Sequence, residues 1–178
     1  NVLWGDYNPS GKLPMTFPQH IGQIPLYYQY KSTGRPAGQD VWCTKYIDQS
    51  DQPAYPFGYG LSYTRFDYSN LRIEKTNEEG VYANVLVDVT NTGRYDGEEV
   101  VQFYVRDEYA SITRPVKELR GFEKIALKRG ETRTVKFPVT DKQLGFYDNQ
   151  MNYVVEPGDF TFMVGPNSQE VQSVPFTL

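Results

Sequence analysis

The sequence predicts a mainly β protein: a two-sheet sandwich over residues 61–178, led into by a coil-rich segment over residues 1–60. Three observations carry this. Beyond Thr64, short runs with apolar residues at every second position recur between Gly, Pro and Asn turns. Residues 1–60 hold seven of the twelve prolines, seven of the fifteen glycines and no glutamate, poor material for helix or a closed core. Between the two lies Pro56-Phe57-Gly58-Tyr59-Gly60-Leu61-Ser62-Tyr63-Thr64, whose two glycines describe a tight path that then enters a strand.

Taken in order, strands are expected near 66–74, 81–90, 98–106, 117–126, 131–139, 151–155, 159–164 and 170–177. The second is the clearest: Val81, Ala83, Val85, Val87 and Val89 share one face, and Asn91-Thr92-Gly93 closes the run. The third is entered by Asp96-Gly97, the fifth by Arg129-Gly130, and the seventh follows Glu156-Pro157. This number of short strands suits an immunoglobulin-like, and more narrowly a fibronectin type III-like, sandwich, because the cysteines and tryptophan of antibody domains are missing from this half. A barrel is the alternative closure. No helix is expected after Thr64.

Composition bounds the function. The first 60 residues carry four cationic and four anionic side chains, so the net charge of −4 lies in residues 61–178, where 14 cations face 18 anions. Neither part has the basic excess that nucleic acid or an anionic membrane surface would attract. No apolar run approaches the roughly 20 residues that span a bilayer. The start, Asn-Val-Leu-Trp-Gly-Asp, is neither a methionine start nor a signal peptide, which suggests that the chain begins inside a longer protein. Cys43, the single cysteine, is expected to be a buried or half-buried thiol.

Catalytic and metal motifs are missing. A nucleophilic triad would have to use His20, the one histidine, yet no Gly-x-Ser-x-Gly elbow accompanies it. One His, one Cys and scattered carboxylates show no metal-ligand spacing. Asn8-Pro9-Ser10-Gly11-Lys12 is followed by Leu13 where a phosphate-binding loop needs a hydroxyl, so it is a turn leading into an extended edge segment. The carboxylate pairs Glu78-Glu79, Glu98-Glu99 and Asp107-Glu108 are adjacent on strands or strand ends. Their members point to opposite faces, cannot converge on one substrate, and are expected to be solvated strand ends. The rings of Tyr27, Tyr28, Tyr30, Trp42 and Tyr46 suit either sugar stacking or packing against a neighbouring domain, with packing favoured for the first three.

Six segments in register resemble the C-terminal region of glycoside hydrolase family 3: Asp6 to Pro14, Gly22 to Pro25 with Tyr27 and Tyr28, Lys31 to Pro36, the nonapeptide, Arg114 to Phe122, and Glu156-Pro157-Gly158. Their order and spacing cover the entire chain, and the likeness is greatest to the bacterial periplasmic β-glucosidases of that family. The resemblance implies an enzyme of three domains, a TIM-like barrel, an α/β/α sandwich and a fibronectin type III-like domain. Residues 1–60 would be the tail of the α/β/α domain plus a linker, and residues 61–178 the third domain.

It also implies retaining hydrolysis of terminal non-reducing β-D-glucosyl residues, by an aspartate nucleophile on the barrel and a glutamate acid/base on the second domain. Retention needs two carboxyl groups about 5–5.5 Å apart, and no glutamate precedes Glu74. The resemblance places both groups upstream of this segment. No catalytic residue, cofactor site or metal site is assigned here, and the part is expected to brace its neighbours. The loop before the nonapeptide supplies Asp40, Trp42, Lys45, Tyr46 and Asp48 as candidate outer-subsite contacts. Implied partners are the barrel and α/β/α domains and, through them, a β-glucoside or oligosaccharide; a homodimer of the full enzyme is compatible, and the location would be periplasmic or secreted. The rival reading is an autonomous carbohydrate-binding or adhesive module, with a self-contained start near Leu61 and an exposed aromatic platform to which Tyr82 and Phe103 could contribute.

Overall fold

A computed structural model describes residues 1–36 and 43–178. Among these described residues nine strands form in the order β1 (Phe66–Glu74), β2 (Ala83–Asn91), β3 (Gly97–Asp107), β4 (Glu118–Leu127), β5 (Thr132–Val139), β6 (Phe146–Tyr147), β7 (Tyr153–Val154), β8 (Asp159–Gly165) and β9 (Gln172–Thr177). One sheet runs β1-β2-β5 and the other β4-β3-β8-β9; β6 and β7 pair as a separate small hairpin. Every described pairing is antiparallel. This is the predicted sandwich, with the expected strands present to within about two residues at most ends.

The alternation works as the sequence requires. Val85, Val87 and Val89 of β2 and Val135, Phe137 and Val139 of β5 meet Val101, Phe103 and Val105 of β3 and Phe160, Phe162 and Val164 of β8. Phe103 sits at the centre, stacked on Phe137 at 5.2 Å and edge-on to Phe162 at 5.6 Å. Its full burial removes it from any surface platform. Tyr82 lies at the rim, where its hydroxyl donates to Asp141 Oδ1 at 2.6 Å. Truncating a ring such as Phe103 to alanine would cost about 3–5 kcal/mol, the transfer term plus the cavity.

Two differences from expectation follow from length. A single helical turn, α1 (Asp141–Leu144), follows β5 and drops Leu144 onto the core. Its signal was a capping box, Thr140 with Gln143, but one turn is too short to show a helical repeat. The two-residue strand β6 is likewise too short to alternate.

One end of the sandwich is closed by Asn91, which is fully buried and fully satisfied. Its Oδ1 accepts from Thr64 Oγ1 at 2.6 Å and Gly93 N at 3.1 Å, while Nδ2 donates to Tyr95 O at 2.8 Å and Leu127 O at 3.1 Å. Thr64, the last residue of the nonapeptide, is thereby tied to the turn after β2. A side chain at Gly93 would collide with it, since a β-carbon there would lie 2.1 Å from Thr64 Oγ1.

Among the described residues of 1–65, the helical elements are the 3-10 turns Val2–Trp4 and Ile21–Gln23. The extended segment predicted at 13–18 exists and pairs with the approach to the nonapeptide: Leu13 N donates to Tyr59 O and Gly58 N to Leu13 O, both at 2.8 Å, and Phe17 bridges to Tyr55.

Candidate functional site

The coil-rich segment lies along β3 and against the β3–β4 and β8–β9 connections, and the buried polar residues Ser10, Glu99, Gln102, Asn167 and Ser168 collect where they meet. Gln102, on the face of β3 turned away from the core, is almost completely covered. Its Nε2 donates to Gly58 O at 3.1 Å and Pro166 O at 2.6 Å, and its Oε1 accepts from Tyr104 OH at 2.6 Å. Gly58 has φ +81°, a left-handed backbone that favours glycine, and only glycine leaves room for the carboxamide.

Aromatic packing continues the seam. Tyr28 stacks on Phe57 at 4.4 Å and meets Tyr104 edge-on at 5.7 Å, and its hydroxyl accepts from Leu119 N at 3.3 Å. Burial pushes the hydroxyls of Tyr28 and Tyr104 above their ordinary values, so both stay neutral. Of the tyrosines expected to pack, Tyr28 does so against the sandwich, and Tyr27 and Tyr30 are about half exposed on this chain. Tyr59 packs on Tyr55 of the same segment at 5.1 Å, whereas Tyr63 stays largely on the surface with its hydroxyl bonded to Val2 O.

A buried ion pair anchors the other side. Lys12 Nζ lies 2.8 Å from Glu99 Oε1, with the two side chains 14% and 6% exposed. Tyr68 OH adds a hydrogen bond to the same oxygen at 3.3 Å; burial, and then the charge of Glu99, pushes that hydroxyl far above its ordinary value. The expectation of solvated strand ends therefore fails at Glu99, and at Asp107, whose side chain is 4% exposed and paired with Arg114. Strand phase turns Glu99 inward with Val101, and Lys12 from the coil segment makes the buried charge tolerable. Its neighbour Glu98 points outward to Lys124 Nζ at 2.7 Å and Ser10 Oγ at 3.0 Å, as adjacent strand residues should. Asn8 completes the contact by accepting from Ser62 Oγ at 2.9 Å and Tyr63 N at 2.8 Å.

The outer-subsite candidates divide. Asp40 and Trp42 lie outside the described residues. Lys45, Tyr46 and Asp48 are exposed on one loop. The loop is clasped from below by Gln23, which is 2% exposed: Nε2 donates to Ser50 O at 2.9 Å and Gln52 O at 3.1 Å, and Oε1 accepts from Gln19 N at 2.6 Å. Tyr46 OH reaches Gly22 O at 3.4 Å, and its ring meets His20 edge-on at 6.1 Å. Lys45, Tyr46 and Asp48 thus share a loop with a fixed base. Gln23, Gln102, Glu99 and Lys12 were missed as positioning residues, because nothing local in sequence marks a glutamine or glutamate for burial.

Comparison with known proteins matches both halves. Residues 1–63 fit the family model "Glycosyl hydrolase family 3 C-terminal domain", and residues 99–168 the model "Fibronectin type III-like domain". Over its whole length the chain is 47% identical to a periplasmic β-glucosidase of Salmonella typhimurium, covering 24% of that protein. It is 42% identical to a β-xylosidase of Formosa agariphila, again over 100% of this chain and 24% of the relative. The crystal structure of a β-glucosidase from Listeria innocua in complex with glucose superposes with a TM-score of 0.90 at 42% identity, covering 99% of this chain and 25% of that one. The chain thus spans about a quarter of the length of the relatives it matches.

Proposed function

Because the chain belongs to glycoside hydrolase family 3, as part of its C-terminal region, we propose that it serves a retaining β-glucosidase as a non-catalytic, domain-bracing part. In this reading residues 1–60 are the tail of an α/β/α domain with its linker, and residues 61–178 are a fibronectin type III-like domain. The nucleophilic aspartate and the glutamate acid/base lie upstream. The substrates are terminal non-reducing β-D-glucosyl residues, and the location is periplasmic or secreted, in keeping with the name of the Salmonella relative. The upstream barrel and α/β/α domains are its partners, and a homodimer of the full enzyme is compatible.

The observation that carries this reading is the contrast along the coil-rich segment between what is fixed to the sandwich and what stands exposed. The segment is fixed by a saturated carboxamide, the edge-on contact of Tyr28 with Tyr104 and a buried ion pair. Yet Leu3, Trp4, Ile21, Ile24 and Ile47 of the same segment stand exposed, each by more than half. Apolar surface of this extent on one segment marks an interaction surface, here for the domains upstream. The outer-subsite role of Asp40, Trp42, Lys45, Tyr46 and Asp48 belongs to the same proposal, with the Gln23 clasp as its base.

The test is enzymatic. The purified chain is expected to leave an aryl β-glucoside intact, and the same segment joined to the upstream domains to hydrolyse it. Turnover by the purified chain, absent from a mock preparation, would overturn the reading. Turnover of an aryl β-xyloside in preference to the glucoside by the joined enzyme would retain the architecture but replace the substrate.

A further inference from the structure

The ten residues between Asp107 at the end of β3 and Glu118 at the start of β4 enclose a second feature, a pocket of about 320 Å³. One wall comes from the coil-rich segment: Lys31 bridges to Pro115, Val116 N donates to Tyr30 O at 2.9 Å, and Ser32 is thereby held at the lining. The volume falls at the lower end of the small-molecule range, suited to one monosaccharide unit.

Charge decides which class of ligand fits. The lining holds two guanidinium and two carboxylate groups, and each already has a partner. Arg106 Nε lies 2.9 Å from Glu108 Oε2, and Arg114 Nη1 lies 3.3 Å from Asp107 Oδ2. The framework is held in place: Arg114 Nη2 also meets Glu118 Oε2 at 2.6 Å and its guanidinium lies over Phe146 at 4.5 Å, Thr161 Oγ1 donates to Glu108 Oε1 at 2.6 Å, and Ser111 N donates to Glu156 Oε2 at 2.9 Å. An ionic ligand would have to break one of these pairs. A hydroxyl need not, because it donates and accepts at once and can bridge a guanidinium and a carboxylate that remain paired.

Arg106 and Glu108 are 45% and 26% exposed, so their pair is open to a ligand, and the lining adds the hydroxyls of Ser32, Ser111 and Thr113. Tyr109, 86% exposed, contributes a ring on which the C–H face of a sugar can pack. We propose that this pocket is a binding site for a neutral pyranosyl unit, with Arg106 and Glu108 engaging adjacent hydroxyls and Tyr109 packing on the ring. It is separate from the loop carrying Lys45, Tyr46 and Asp48, and it does not depend on the chain being part of a β-glucosidase.

The experiment is a titration of the ¹⁵N-labelled chain with methyl β-D-glucopyranoside and with cellobiose, up to about 100 mM. Saturable shifts confined to Ser32 and residues 106–116 are expected. Tyr109→Ala and Glu108→Gln should each weaken binding by about five-fold, the loss of one contact, while amides elsewhere keep their wild-type positions. Absence of a saturable shift, shifts mapping to another surface, or wild-type affinity in both variants would overturn the site. So would inorganic phosphate shifting the same amides where neither sugar does, which would make it an anion site.

Discussion

Gly58 faces the carboxamide of Gln102 so closely that a β-carbon at residue 58 would stand 2.0 Å from Oε1. Residues 58 and 102 are therefore coupled, and one change should reveal it. Gly58→Ala imposes left-handed strain of about 1–2 kcal/mol and displaces an amide whose partners, once unmet, cost about 1–3 kcal/mol. Urea denaturation should show a loss of several kcal/mol. Combining it with Gln102→Ala should cost less than the sum of the two single changes, since both disturb one network. Strict additivity would show that the seam does not depend on this contact.

The buried pair makes a sharper prediction. Lys12→Met keeps most of the aliphatic stem but leaves Glu99 buried and uncompensated, with an expected loss of about 3–5 kcal/mol. Adding Glu99→Gln should recover part of it, because the amide can still accept from Tyr68 OH. A double-mutant cycle with no coupling would mean that the Lys12–Glu99 contact contributes nothing to joining coil and sandwich.

These two sites also mark how far the sequence carries. The sandwich was legible because its long strands repeat every second residue, and Val85, Val87 and Val89 had only one way to be buried. Phase alone also turned Glu99 inward and Gln102 outward. What the local pattern lacked was the second body: Lys12 and Gly58 reach β3 from distant parts of the chain, so the burial of Glu99 and the covering of Gln102 are tertiary facts. The same holds for the loop of Lys45, Tyr46 and Asp48, whose composition suggested contacts while the residue that fixes its base, Gln23, belongs to a 3-10 turn too short to announce itself.

Acid should loosen the β3–β4 connection before it unfolds the sandwich core. Hydrogen bonds from the side chain and backbone of Ser111 hold Glu156 below its ordinary value of 4.5. A carboxyl lowered in the folded state contributes fully above the unfolded value, and the contribution is lost as pH falls through the folded one. The Ser111 amide should therefore shift with a midpoint below the ordinary value of 4.5, and Glu156→Gln should abolish that titration. A Ser111 titration that persists unchanged in the variant would assign it to another group.

Gln23 tests whether the loop matters to substrate. Gln23→Leu keeps the bulk of a 2% exposed side chain but removes its bonds to Ser50 O, Gln52 O and Gln19 N. Loop carbonyls near the surface can turn to water, so the fold should survive with a loss of about 1–3 kcal/mol, while amide exchange across residues 43–52 speeds up. On the proposed reading the chemical step belongs to the upstream domains, so in the joined enzyme kcat on a short aryl glucoside should hold while KM for a longer oligosaccharide rises. If loosening the clasp leaves both KM values untouched, Lys45, Tyr46 and Asp48 do not contact substrate, and the loop is only a support for the domain beside it.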